Sequence, residues 1–116
     1  MKLDRFSFGS LRIDGVTYEG DVVIDRGKVR LRDKKPSKRF RAGYGHTPLS
    51  IDEKLPWKCR RLVIGTGADG ALPVMPQVEK EARRKGVELV ALPTRRAIEV
   101  LNTDHERVNA ILHITC

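Results

Sequence analysis

Hydrophobic and polar positions follow different periods in the two halves of the chain. In the first third, apolar and polar residues alternate in short runs such as VRLR, and Asp-Gly at residues 14–15 and Arg-Gly at 26–27 separate the runs. Alternation with a period of two is typical of half-buried strands, and Asp-Gly favours hairpin turns because glycine tolerates positive φ. This part of the chain is predicted to form a β-meander, with strands over residues 6–13, 16–25 and 28–32.

The second half alternates between strand and helix patterns. The predicted order is a strand at 61–65, a helix at 76–85, a strand at 87–92, a helix at 94–102 and a closing strand at 108–116. Val78 and Ala82 fall on the inner side of the first helix, Gly86 is a natural stop for it, and Thr94 is predicted to cap the second helix. This order predicts a single α/β domain, residues 1–116, whose helices flank a mixed central sheet. The preceding meander either joins that sheet or adds a second small layer.

The segment between the two halves has neither period. Residues 34–49 contain two prolines and two glycines and are predicted to form a loop or an extended edge. Ser50 and Glu53 have the spacing of a capping box, but Pro56 limits the predicted helix to little more than one turn.

Composition excludes several classes of protein. The chain has 116 residues, of which 40% are hydrophobic and 33% charged, and no apolar run reaches the eighteen or so residues that a membrane helix needs. The first residues lack the apolar segment of a signal peptide, and two cysteines are too few for a disulfide framework. We therefore expect a cytoplasmic protein with reduced thiols and no membrane contact.

Positive charge is concentrated in one segment. The net charge is +8, but residues 28–41 alone carry +7 and the remainder only +1. Such a segment attracts an acidic protein surface, an anionic metabolite or nucleic acid. Phe40 and Tyr44 interleave with the arginines, as in proteins that bind single strands, although no RNA-recognition signature is present. The predicted recognition surface consists of Lys34, Lys35, Lys38, Arg39 and Arg41.

A glycine-rich stretch, GTGADG at residues 65–70, matches the G-x-G-x-x-G fingerprint of dinucleotide sites. That fingerprint requires a helix that opens at the last glycine and an acidic residue at the end of the next strand. Pro73 and Pro76 remove two backbone donors, and the next strand ends in ALPT without a carboxylate. We therefore predict no dinucleotide and no other cofactor, and interpret the glycines as permitting a sharp turn beside neighbouring backbone.

A small anion remains an alternative ligand for this turn. Backbone amides and the Thr66 hydroxyl lie at the carboxyl edge of the predicted sheet, where ligands of open α/β sheets usually bind. The candidate anion-binding residues are Gly65, Thr66, Gly67, Gly70, Thr94 and Arg95. The three histidines lack a paired spacing, so no metal site is predicted, and His113 is interpreted as structural.

Three stretches together resemble a known family. LVIGTGADGALPV, GVELVALPTRRAIEVLN and AILHITC are similar to a family of small α/β domains from largely uncharacterised archaeal and bacterial proteins. That family includes the animal adipogenesis-associated domain protein and the related mitochondrial complex I assembly factor. The residues that carry the resemblance are Ile64 to Gly67, Thr94, Ala97, Asn102, His113, Thr115 and Cys116. Leu101 departs from the pattern, where an aromatic residue is expected, as does the sequence DHE at 104–106.

The resemblance implies a single layered domain, no established catalytic residue, and an assembly or regulatory role. Our leading hypothesis is a non-enzymatic interaction domain whose basic segment binds an acidic partner. An enzyme or sensor that binds a phosphorylated metabolite at the glycine turn is the alternative, and a nucleic-acid binder is the second. A homodimer is a further alternative, because exposed strand edges can pair with a second copy of the chain.

Overall fold

The computed structural model describes residues 1–116, which form eight strands and three α-helices. The strands are β1 (Leu3–Ser7), β2 (Ser10–Ile13), β3 (Val16–Tyr18), β4 (Val22–Asp25), β5 (Lys28–Leu31), β6 (Arg61–Thr66), β7 (Glu88–Leu92) and β8 (Val108–His113). The helices are α1 (Arg41–Tyr44), α2 (Pro76–Lys85) and α3 (Thr94–Thr103), and a 3-10 helix, Lys35–Phe40, directly precedes α1.

The strands form two sheets. β1, β2 and β3 make a three-stranded antiparallel meander, and the larger sheet has the order β5-β4-β8-β6-β7. In the larger sheet β6 is parallel to both β7 and β8, whereas β4 is antiparallel to β5 and β8. The predicted α/β fold with a mixed sheet is therefore confirmed. Part of the N-terminal region joins the central sheet, and the rest forms a separate layer.

Side chains bury both faces of the larger sheet, because successive residues of a strand point to opposite sides. In β6, Val63 packs with the meander and α3, whereas Leu62 and Ile64 pack with α2. α3 contributes Ala97, Ile98 and Leu101 to the first cluster, and α2 contributes Val78 and Ala82 to the second. Burial of each large aliphatic side chain stabilises the fold by about 1.5–3 kcal/mol. Two apolar layers thus hold the carboxyl ends of the parallel strands in place.

Helix α2 begins and ends where the sequence pattern predicts. Pro76 occupies its first turn, where a missing N–H costs nothing, and Gly86 ends it in the left-handed conformation with φ +70°. The predicted inward residues Val78 and Ala82 are both buried. No helix in the chain combines the length and the apolar character needed to cross a membrane.

Three predicted strands differ from the observed ones by more than one residue. A turn at Phe8 and Gly9 divides residues 6–13 into two strands, and Gly9 adopts a φ of +84° there. A bend before Asp21 divides residues 16–25 in the same way. The closing strand ends at His113, because Thr115 and Cys116 leave the sheet and accept hydrogen bonds from the turn that follows β6.

The segment over residues 34–49 is more regular than predicted. It contains the 3-10 helix and α1, whose last turn closes at Gly45 with φ +74°. The predicted capping box is wrong, because no helix follows Ser50. Instead, the Ser50 hydroxyl accepts the Asp52 N–H at 3.3 Å, and Glu53 is drawn into a buried ion pair described below.

Candidate functional site

The glycine turn after β6 is closed by the segment that follows β8. The Ala68 N–H donates to the Thr115 carbonyl at 2.7 Å, and the N–H groups of Asp69 and Ala71 donate to the Cys116 carbonyl at 3.3 and 2.9 Å. These are the backbone donors that an anion at this turn would need. Bonds within the chain already use them.

The glycines of the turn permit this close approach. A Cβ on Gly67 would stand 2.3 Å from the carbonyl carbon of Cys116, and its φ of +106° suits glycine alone. A Cβ on Gly65 would stand 2.8 Å from both a Leu112 methyl and the Thr94 hydroxyl. The glycines at 65 and 67 therefore allow the turn after β6 to pack closely against Thr94 and against the residues that follow β8.

Thr94 is part of the same closure and does not cap α3. Pro93 is the N-cap residue of that helix, and Thr94 lies fully buried in its first turn. The Thr94 hydroxyl accepts the Gly67 N–H at 2.8 Å and donates to the His113 carbonyl at 2.5 Å. The predicted cap is thus wrong, since the Thr94 side chain bonds to backbone groups at the ends of β6 and β8.

Arg95 does not join this closure. It is exposed, and its guanidinium lies over the Phe6 ring, 5.2 Å from the ring centroid.

Beside this turn lies a basic cleft, defined by the ten residues that line it. Its volume is about 260 Å³, and none of its lining residues is an aspartate or glutamate. The lining residues are Arg32, Lys34, Lys38, Arg41, His46, Thr47, Leu72, His113, Thr115 and Cys116. The register of β4, β5, β6 and β8 puts the cleft at the edge where the parallel strands end.

The structure brings three of the five predicted basic residues to this cleft. Lys34, Lys38 and Arg41 line it, and none of them forms an ion pair within the chain. Arg39 pairs with Asp52 and its guanidinium lies 4.5 Å from the Phe40 ring centroid, so its charge is partly used. Lys35 is exposed but does not line the cleft.

Arg32 anchors a buried network beneath the basic cleft. Its side chain is only 2% exposed, and it donates to both oxygens of Glu53, at 2.7 and 2.8 Å. It also donates to Asp21 at 3.0 Å and to the Pro48 carbonyl at 3.2 Å. Burial alone would lower the pKa of Arg32, but its bonds to these carboxylates raise it. Arg32 is therefore a charged structural residue and offers little free charge to a ligand.

The same network fixes the basic segment. The Ser37 hydroxyl donates to Glu53 at 2.5 Å and is 2.6 Å from the Ser50 hydroxyl. Ser37 and Ser50 are both buried. Because Ser37 belongs to the 3-10 helix, these bonds tie the helix that bears Lys38 to the edge of the sheet.

Asp21 and His113 form the other arm of the network. Asp21 accepts the Ile114 N–H at 3.1 Å, and its second oxygen lies 2.8 Å from Nδ1 of His113. Burial raises the pKa of Asp21, but the His113 hydrogen bond and the Arg32 charge outweigh it, so that pKa lies below its usual value. An ionised Asp21 holds the proton on Nδ1, which leaves Nε2 to face the Thr115 hydroxyl at 3.2 Å.

A family of proteins of unknown function, DUF498/DUF598, matches residues 3–113 of the chain. The chain belongs to this family. It is 27% identical to a conserved hypothetical protein from Pyrococcus horikoshii OT3, with a TM-score of 0.82 and 100% of each chain covered. It is 28% identical to the protein MT938, with a TM-score of 0.77 and coverage of 99% of this chain and 98% of that one.

A third solved structure, described as an outer membrane protein from Bartonella henselae, is 17% identical, with a TM-score of 0.67. It covers 98% of this chain and 94% of its own, and at this identity it shows the fold alone. The sequence resemblance to archaeal and bacterial proteins is therefore confirmed at the level of the DUF498/DUF598 family. Nothing in these matches assigns a ligand to the cleft that this DUF498/DUF598 chain carries.

Sequence patterns missed the buried network. Arg32 was counted as part of the basic segment and Glu53 as part of a capping box, because each fits a local pattern. Their pairing joins residues 21 positions apart, and that of Asp21 with His113 joins residues 92 positions apart. Local periodicity carries no signal for such pairs.

Proposed function

We propose that this protein is a non-enzymatic interaction domain that binds an acidic partner protein through its basic cleft and the cations around it. The observation that carries the proposal is that Lys34, Lys38 and Arg41 line one cleft that no aspartate or glutamate lines, and that none of the three forms an ion pair within the chain. Unpaired cations attract and orient an acidic surface, and such charges raise association rates and select the partner. Lys35 and Arg39 extend the same surface.

Two further features support this proposal. The rest of the chain is close to electrically balanced, so its charge favours one docking face. The sequence resembles a family of small α/β domains that, as stated above, includes an animal adipogenesis-associated protein and a mitochondrial assembly factor, and this resemblance favours a role in protein contacts. Both cysteines are free thiols, which suits the reducing cytoplasm that we propose as the compartment.

The test compares two triple variants in affinity capture with chemical cross-linking. One variant carries Lys34→Glu, Lys38→Glu and Arg41→Glu. The matched control carries Lys80→Glu and Arg83→Glu with Lys85→Glu, which reverses three exposed charges on α2 that form no ion pair. We expect partners bound by the wild type to persist with the control, to disappear with the cleft variant, and to weaken as salt rises.

Identical partner sets for the wild type and both variants would overturn the proposal. Retention that nuclease treatment abolishes would favour the nucleic-acid alternative instead, and would also show the steep salt dependence of phosphate contacts. The alternative based on an anion at the glycine turn has less support, because the N–H groups of residues 67–71 all donate within the chain.

A further inference from the structure

The lining of the basic cleft suits a compact, doubly charged anion. Three of its cations are free of intramolecular partners, and the Thr47 hydroxyl can donate a hydrogen bond beside them. Only two of the ten lining residues are hydrophobic. A volume of about 260 Å³ is below the range of about 300–1,000 Å³ that drug-sized ligands need. The cleft therefore fits one anionic group with a small substituent better than a dinucleotide.

Charge separates the possible anionic groups. A carboxylate carries one negative charge and two oxygens, whereas a phosphomonoester carries about −1.5 to −2 charge at neutral pH and three acceptor oxygens. Arg41 can bind two of those oxygens in parallel, and the two lysines act as point charges. A single carboxylate would leave most of the positive charge of this cleft uncompensated.

The backbone that carries the cations is held in place before a ligand arrives. The Arg32–Glu53 pair and the buried Ser37 hydroxyl fix the 3-10 helix, and the bond from Arg32 to Pro48 fixes the chain after α1. Binding then has less conformational entropy to lose, because these backbone positions are already ordered.

We propose that the basic cleft binds a phosphomonoester group, carried either by a phosphorylated side chain of a partner or by a small phosphorylated metabolite. This inference rests on the proposed function, since it identifies the acidic group that the same cations recognise. The Thr47 hydroxyl donates to one phosphoryl oxygen, and the Thr115 hydroxyl is held by Nε2 of His113.

The test is a titration of the protein with small anionic probes, in which binding is measured by calorimetry and by changes in the NMR chemical shifts of backbone amides. The probes are N-acetyl-phosphoserine amide and glycerol phosphate, with N-acetyl-glutamate amide as the carboxylate control. We expect saturable binding of at least one phosphate probe, with shifts confined to residues 32–47 and 113–116 and a Kd at least tenfold below that of the carboxylate. Arg41→Gln should weaken that binding tenfold or more, whereas Arg83→Gln on α2 should leave it unchanged.

Each outcome decides one point. Equal Kd values for phosphate and carboxylate probes, non-saturable shifts along the whole chain, or an Arg41→Gln variant that binds like the wild type would overturn the phosphomonoester site. Saturation by phosphoserine amide alone assigns the group to a partner protein, and saturation by glycerol phosphate alone assigns it to a metabolite. Partner capture that depends on the cleft while no phosphate binds would leave the proposed function intact. Phosphate binding without any such capture would remove the proposed function and keep this site.

Discussion

Replacing Arg32 with methionine tests whether the buried network supports the fold and the cleft. Methionine has a similar length and fills the site, so the change removes charge and hydrogen bonds more than volume. The Arg32 and Glu53 side chains are each only 2% exposed, and that of Asp21 is 12% exposed. Arg32→Met therefore leaves two carboxylates inside the protein without their common cation.

The expected loss follows from that burial. Removing one partner of a buried ion pair costs about 3–5 kcal/mol, because the other charge remains without compensation. His113 still contacts Asp21 and Ser37 still donates to Glu53, so we expect the lower end, about 3 kcal/mol. A domain of this size has a total stability of about 5–15 kcal/mol, so the loss is a large fraction of it.

Urea unfolding, followed by the fluorescence of the single tryptophan, Trp57, measures this loss. Arg84→Met is the matched control, because Arg84 pairs with Glu81 on the exposed side of α2, and we expect no resolvable change. The double variant Arg32→Met with Glu53→Gln should recover part of the loss, since it removes one of the orphaned charges. An Arg32→Met midpoint equal to that of the wild type would refute the reasoning.

Three further predictions concern the neighbouring strand ends. Gly67→Ala should cost about 1–3 kcal/mol more than Gly15→Ala, because both have positive φ but only Gly67 faces neighbouring backbone, and equal urea midpoints would contradict this. Thr94→Val should cost about 1–3 kcal/mol by leaving the Gly67 N–H unpaired, and Thr94→Ser should stay near wild type; a similar loss in both would point to packing instead. The pKa of Asp21 is lowered in the folded state, so its stabilisation is complete above the unfolded value of 3.8 and is lost as pH falls below it. Urea midpoints in acid should fall less steeply for Asp21→Asn, and an unchanged slope would argue against this assignment.

Sequence patterns predicted those helices and strands whose ends are marked by residues close to them in the sequence. Helix α2 could be placed from its apolar spacing, from proline in its first turn and from Gly86 after its last residue. The turn at Gly9 was missed because the apolar alternation continues across it, and only the pairing of β1 with β2 shows where the chain reverses. Thr94 looked like a cap because it directly precedes a periodic apolar run. Its hydroxyl is instead used by backbone groups 19 and 27 positions away.

The sequence predicted the basic segment of the candidate site, but it did not predict which cations of that segment are free. The excess charge over residues 28–41 marked the basic segment, but charge counting treats all its cations alike. The structure divides them, since Arg32 is buried with Glu53, Arg39 pairs with Asp52, and Lys38 remains unpaired on the cleft. Which cations stay free depends on how the segment folds back on the sheet, and no spacing rule contains that information.

The order of the strands explains why our proposal assigns recognition to side chains and not to backbone amides. β6 lies between β7 and β8, so the chain moves to one side of β6 through α2 and to the other through α3. The crevice at such a reversal, outside the carboxyl ends of the strands, is where open α/β sheets usually hold ligands with backbone amides. In this chain, Thr115 and Cys116 fill the crevice, and their carbonyl groups accept hydrogen bonds from the backbone amides of the glycine turn. Gly67 has no side chain that would keep these two residues out. The basic cleft lies on the other side of β8, against β4 and β5, where the donors are lysine and arginine side chains. In our proposal, a ligand is therefore selected by charge, and the buried Arg32 network sets where the cations of the cleft lie.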